Sequence, residues 1–221
     1  MIITNVTTIE QTIAQACHDA ARRREDVQEI VVTKKRTQGE IQEMYDLGFR
    51  HFAENRVDKL LMRQQEFPQE DIVWHLIGPL QSRKVKDIIN KVEYFHALDR
   101  LSIAKEINKR AEHCVKCFLE VNISGEVTKH GFSADEVGDV LTQLQQYEHI
   151  EVIGLMTMAP FEATKEEIDS YFSQLKALRD NIMKSQANSS CKYLSMGMSN
   201  DYPLAIKAGA THIRIGTAWF K

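Results

Sequence analysis

Short apolar runs alternate along the chain with stretches in which apolar residues recur every three or four positions. The runs are Glu29–Lys34, Phe49–Glu54, Ile72–Gly78, Tyr94–Asp99, Val115–Asn122, Ile150–Met158, Tyr193–Met198 and His212–Phe220. They are rich in Val, Ile and aromatic residues and read as strands. Between them the period changes to that of a helix. Gln38–Leu47 stops at Gly48, a good C-cap, and Ser133–Tyr147 opens with Glu136 three residues after Ser133, the spacing of a capping box. Lys165–Lys184 carries Ile168, Tyr171, Phe172, Leu175 and Leu178 at helical spacing. Asn200–Ala208 has Pro203 in its first turn and Gly209 after its last. Asn55–Phe67, Leu80–Ile89 and Arg100–His113 complete the series.

Strands that alternate with helices lie parallel in right-handed βαβ units. The number of strands predicts closure into one (β/α)8 barrel of the TIM type, a single domain over residues 1–221. A doubly wound open sheet is the competing architecture, but the glycine fingerprint of a dinucleotide site is missing. The last strand runs to the end of the sequence, so the covering helix expected there is sought at the other end. Thr7–Arg24 sets Ile9, Ile13, Ala16, Cys17 and Ala20 on one face and is expected to cover the seam between strands eight and one.

Composition narrows the class. At 43% hydrophobic, 27% charged and net charge -3, the chain has no overall pull toward nucleic acid or anionic membrane. No apolar stretch approaches the roughly 20 residues of a membrane span, and Met1–Glu10 lacks a signal-peptide core, so a cytoplasmic protein is expected. Cys17, Cys114, Cys117 and Cys191 are expected as thiols, with Cys114 and Cys117 packing and surface residues rather than half of a metal site.

In such barrels, chemistry gathers at the C-terminal ends of the strands. That filter selects Lys34, Glu54-Asn55, His75, Asp99, Asn122, Met156–Met158, Met198-Ser199 and Arg214–Thr217. Gly197–Asn200 runs into a helix start, where free N–H groups and a serine hydroxyl suit an anion. Gly216-Thr217 offers a second such place on the adjacent strand. Taken singly, each reads as a capping serine or a turn glycine. Together, after strands seven and eight, they favour phosphate. Lys34 closes the run Ile30–Thr33; burial there is expected to desolvate its amine and make it nucleophilic toward aldehydes. By spacing alone, a solvated lysine opening a basic loop with Lys35 and Arg36 is the commoner outcome. Asp99 reads as an N-cap and Arg22–Arg24 as a solvated helix end.

Several of these segments resemble a known family in combination. They are Val32-Thr33-Lys34, Phe52–Asn55, His75–Gln81, Glu120–Asn122, Lys129–Phe132, Gly154–Pro160, Ser195–Asp201 and Arg214–Gly216. The chain resembles the pyridoxal phosphate homeostasis family, whose fold-type III barrel is similar to the N-terminal domain of alanine racemase. The resemblance implies pyridoxal 5′-phosphate (PLP) as cofactor, held as a Schiff base on Lys34. It places Asn55 near the cofactor, Ser199 with Gly216 and Thr217 at the phosphate, and Arg214 at the pyridine nitrogen. Alternation puts Ile30, Val32 and Lys34 on one face and Lys35 on the other, which supports Lys34 as the linking residue. The chain departs from the family at Lys35-Arg36, at Ala53 and at Arg83.

A permanently charged Arg214 favours an unprotonated ring nitrogen, which weakens the cofactor as an electron sink. The second domain that supplies a racemase's tyrosine base is not in this sequence. The resemblance therefore implies a monomeric cofactor carrier or regulator, meeting PLP and amino acids, rather than an enzyme. A weak amino-acid racemase using His75 or Tyr202 as second base is the alternative. A sugar-phosphate enzyme is a third reading.

Overall fold

The computed structural model describes residues 2–126, 130–185 and 190–221. Helix α1 (Ile2–Asp19) comes first, and eight strands follow: β1 (Gln28–Val32), β2 (His51–Glu54), β3 (Val73–Leu76), β4 (Tyr94–Leu98), β5 (Val115–Glu120), β6 (Ile150–Met156), β7 (Tyr193–Met198) and β8 (His212–Ile215). Each strand pairs in parallel with the next, and β8 pairs with β1 to close the barrel. The connecting helices are α2 (Gln38–Asp46), α3 (Val57–Glu66), α4 (Val85–Ile88), α5 (Leu101–Arg110), α6 (Val137–Leu144), α7 (Lys165–Lys184) and α8 (Tyr202–Lys207). Residues such as Val31, Phe52, Phe95, Leu119 and Ile213 pack beneath these helices and form the main core. Burial on both faces explains why the strands read as continuous apolar runs.

Helix α1 buries Ile9, Ile13, Ala16 and Cys17 and packs against α8 and α2, over the β8–β1 seam. The Asn5 amide locks it there by donating to the carbonyls of Trp219 (2.9 Å) and Lys221 (2.7 Å). Trp219 is fully buried and meets the Phe49 ring edge-on at 5.1 Å.

Several boundaries differ from the expected ones. The first helix stops at Asp19, so Arg22–Arg24 are not a solvated helix end. Arg22 donates to the Ile206 carbonyl (2.7 Å), and Arg24 pairs with Glu10 (2.8 Å) and Glu29. These bonds tie the crossover to α8 and α1. The last strand ends at Ile215, and a turn closed by Trp219 N–H on Gly216 O (3.1 Å) follows. The segment Leu80–Ile89 is not one helix but 3-10 turns on either side of the short α4.

Helix α6 starts at Val137 rather than at Ser133. Glu136 takes both the Ser133 N–H and O–H, yet its own N–H goes to the Ser133 carbonyl, so only half the box forms. Complete boxes stand at Thr37/Glu40 and Thr164/Glu167. Cys117 is buried and Cys114 exposed. No helix among the described residues is long and apolar enough to cross a membrane.

Candidate cofactor site

The C-terminal rim carries Lys34, Asn55, Ser199, Gly216 and Thr217, but not all as expected, and His75 lies inside the barrel. Strand β1 ends at Val32, two residues before Lys34. Thr33 still bonds the Ala53 carbonyl through its N–H (3.0 Å), and the chain then turns, with Arg36 N–H closing onto Thr33 O (3.0 Å). Lys34 and Lys35 are the central residues of this turn, and Lys35 has φ 63°. A positive φ in third place belongs to a type II turn, where glycine is usual. Lys34 is therefore exposed on a turn and not desolvated at a strand end. Its ammonium makes no hydrogen bond or ion pair among the described residues.

Buried side chains hold the turn from below. The Thr33 hydroxyl donates to Glu54 Oε1 (2.7 Å), and Arg63 donates to the Arg36 carbonyl. Glu54 and Arg63 are both buried, with Arg63 Nε 3.6 Å from Glu54 Oε1. The Arg36 guanidinium lies 5.0 Å from the centroid of the Phe220 ring, joining this loop to the turn after β8.

Asn55 follows β2 and is half-buried. The end of β3 lies against it: a Cβ on Gly78 would sit 2.1 Å from the Asn55 carbonyl oxygen, so only glycine permits the approach. Across the mouth, Ser199 Oγ accepts from the N–H groups of Gly216 and Ala218, both at 3.2 Å. Two backbone donors and a hydroxyl thus converge between β7 and β8, an arrangement that suits phosphate oxygens. Thr217, between them, is exposed. The N–H of Met198, expected to be free at the helix start, is taken by Asp201 Oδ1 (2.5 Å).

Arg214 points into the barrel. It donates to Ser195 Oγ and to the Thr157 carbonyl (3.1 Å). Burial pushes it down to about 10, against the pull of Asp201 and Glu120, so it remains a cation at neutral pH. Burial and the Asp99 carboxylate push Glu120 up to about 7, while Arg214 opposes them. Glu120, Thr157, Met198 and Phe161 line a rim cavity of about 290 Å³. A larger cavity of about 820 Å³, lined by Arg22, Lys116, Arg179 and Lys192, opens at the opposite, N-terminal end of the strands. Its position is remote from the rim residues. Asp99 is not an N-cap; its carboxylate binds Arg100 (2.7 Å) and lies 3.5 Å from His130.

Neither residue suggested as a second base faces this rim. His75 is wholly buried inside the barrel between His51 and His96. Tyr202 is buried on α8, on the side of Thr12 of α1. Lys129 lies outside the described residues. Sequence reasoning missed Ser195, Ala218 and Asp201. Ala218 contributes only its backbone, which no side-chain pattern reveals, whereas a lone serine in the apolar run of β7 was a visible signal.

A family model described as alanine racemase, N-terminal domain, matches residues 11–221. The chain is 36% identical over 213 residues to the pyridoxal phosphate homeostasis protein of Aquifex aeolicus, covering 95% of this chain and 93% of that one. The protein of the same name from Pasteurella multocida is 34% identical over 224 residues, covering 98% and 95%. Among solved structures, PipY of Synechococcus elongatus PCC7942 with PLP bound is similar at a TM-score of 0.83 and 31% identity, covering 95% of this chain and all of that chain. The alanine racemase of Clostridium difficile 630 is similar in fold at a TM-score of 0.77 and 15% identity, and this chain covers 56% of it.

Proposed function

The chain belongs to the family of alanine racemase N-terminal domains that includes the pyridoxal phosphate homeostasis proteins, and from that premise we propose that it binds PLP at the C-terminal rim and serves in holding and releasing it. The observation that carries this reading is the convergence of the Gly216 and Ala218 N–H groups on the Ser199 hydroxyl, next to the β1 end that carries Lys34, whose ammonium has no partner among the described residues. These residues fit a small phosphate ester with an aldehyde. Lys34 supplies the amine that bonds it. Ser199, Gly216 and Thr217 would hold the phosphate, with Asn55 and the Arg214 guanidinium toward the ring. When bound, the cofactor supplies a carbonyl carbon for reversible bonding to amines and a visible chromophore.

The protein's own groups argue for holding over turnover. Arg214 donates hydrogen bonds and carries no proton that it gives up at neutral pH. It therefore leaves the ring nitrogen unprotonated and limits carbanion chemistry. Lys34, being exposed on a turn, is open to exchange with amino acids in solution. The chain acts as a monomer inside the cytoplasm on this reading.

Glu120 favours a second reading, a weak racemase. Its carboxyl titrates near neutrality and shares the rim cavity with Thr157 and Met198, which suits a general base. Deuterium wash-in at the α-carbon of alanine, followed with PLP-loaded protein in heavy water, separates the two. The carrier reading expects exchange far below the ~1–1000 per second typical of enzymes. Exchange at enzyme-like rates that vanishes in Glu120→Gln overturns it.

A further inference from the structure

A line of buried polar side chains runs the length of the barrel beneath the rim. It begins at Arg214, which donates to Ser195 Oγ. Ser195 Oγ lies 2.8 Å from His96 Nδ1. His96 Nε2 lies 2.9 Å from His75 Nδ1, and His75 Nε2 lies 3.0 Å from His51 Nδ1. The residues come from β8, β7, β4, β3 and β2. Strands β4 and β7 are not neighbours, so the His96–Ser195 bond crosses the lumen. Ser195, His96 and His75 are completely buried. His51 is half-buried at the N-terminal mouth, beside Gln28, Glu29 and Arg50.

Buried polar groups cost about 1–3 kcal/mol each when unpartnered, and apolar side chains fill most barrel interiors. A continuous chain of satisfied polar groups is thus a specific arrangement. Its direction follows from Arg214. A guanidinium only donates. Ser195 Oγ accepts that bond, and the hydroxyl hydrogen then has His96 Nδ1 as its acceptor. His96 must carry its hydrogen on Nε2 and donate to His75, which likewise donates from Nε2 to His51. Every donor points away from Arg214. The groups facing this line are Tyr94, stacked on His75 at 4.5 Å, Phe118, stacked on His96 at 4.4 Å, and His212, 6.3 Å from His96. Lys116 lies over Tyr94 at 5.2 Å. Burial holds His75, His96 and His212 below the usual histidine range, so the line is neutral except at Arg214.

We infer that Ser195, His96 and His75 are positioning residues that fix Arg214 as a hydrogen-bond donor under the cofactor site, in a chain polarised from Arg214 toward the N-terminal mouth. The cofactor half of this inference rests on the PLP reading above; the polarity half does not. The opposite tautomer at both His75 and His96, with their hydrogens on Nδ1, would reverse the two ring-to-ring bonds and leave Ser195 Oγ facing two donors, Arg214 and His96. The chain therefore links the far end of the barrel to Arg214.

Nitrogen NMR of the full chain labelled in histidine, without cofactor, tests the polarity. His75 and His96 are expected as neutral Nε2–H tautomers near neutral pH, and Ser195→Ala is expected to release His96 into a mixture while Ser195→Thr restores it. Nδ1–H or doubly protonated rings in the wild type overturn the inference. With PLP added, Ser195→Ala is expected to weaken binding about tenfold and move the pH midpoint of the visible band by about one unit, with Ser195→Thr near wild type. Thermal unfolding of each variant identifies any that fail to fold, and His96→Asn then replaces Ser195→Ala. A folded Ser195→Ala or His96→Asn with unchanged midpoint and affinity overturns the positioning role. Failure of the wild type to take up PLP contradicts the cofactor reading instead, and the NMR arm still decides the polarity.

Discussion

Lys35 adopts φ 63° on the turn that presents Lys34, a conformation that costs a non-glycine residue about 1–2 kcal/mol. Its side chain is exposed. Lys35→Gly is therefore expected to stabilise the chain by up to about 1 kcal/mol in a denaturant titration, the gain reduced by glycine's extra unfolded entropy. A loss of stability contradicts this account of the turn. Glu120 gives a pH test. Its folded carboxyl titrates at about 7, above the roughly 4.3 of an unfolded chain. The folded state then holds the extra proton, so this contribution is present below the unfolded value and is lost as pH rises through 7. Relative to Glu120→Gln, wild type should lose on the order of 2 kcal/mol between about pH 5 and pH 8. Equal pH dependence of the two proteins removes the argument. At this scale, the positions of Asn55, Ser199 and Arg214 at or beside strand ends were legible, whereas Lys34 lies two residues past β1 on a turn that no strand pattern announces. The lone serine in the apolar run of β7 was visible, but not its partner, because one polar residue within an apolar run gives no sign of His96 three strands away across the lumen.

The helix that covers the seam shows what an element's pattern conveys. The stripe of Ile9, Ile13, Ala16 and Cys17 announced a buried face, and that face packs over β8 and β1 through α8 and α2. Its ends were misread because Arg22–Arg24 looked like a basic C-terminus, whereas they bind the Ile206 carbonyl, Glu10 and Glu29, contacts distant in sequence. The boxes at Thr37 and Thr164 were overlooked in favour of Ser133, whose half-formed box precedes α6 by a turn. Ile13 is fully buried, so Ile13→Ala should cost about 2–5 kcal/mol in unfolding free energy. PLP affinity should stay within about twofold, since Ile13 is buried in the α1 face that packs on α8 and α2. A fall in affinity parallel to the fall in stability places the seam in the site and contradicts this.

The molecule as a whole has two differently built mouths. The C-terminal one gathers Lys34, Asn55, Ser199 and the N–H groups of Gly216 and Ala218. The N-terminal one holds a wide cavity lined by Arg22, Lys116, Arg179 and Lys192, and the histidine line ends at His51 in a smaller cavity beside Gln28 and Arg50. Strand count and helix alternation made the closed barrel legible, because parallel strands buried on both faces leave long apolar runs. The contents of the lumen stayed hidden, because interior pairing depends on which strands face each other across the barrel. The central claim is that Lys34 holds PLP on this rim. Borohydride reduction of the PLP-loaded chain, followed by peptide mapping by mass spectrometry, tests it most directly. The account predicts a phosphopyridoxyl adduct on Lys34 that disappears in Lys34→Ala and persists in Lys35→Ala. An adduct confined to Lys35 or to the lysines of the N-terminal cavity, or none at all, contradicts it.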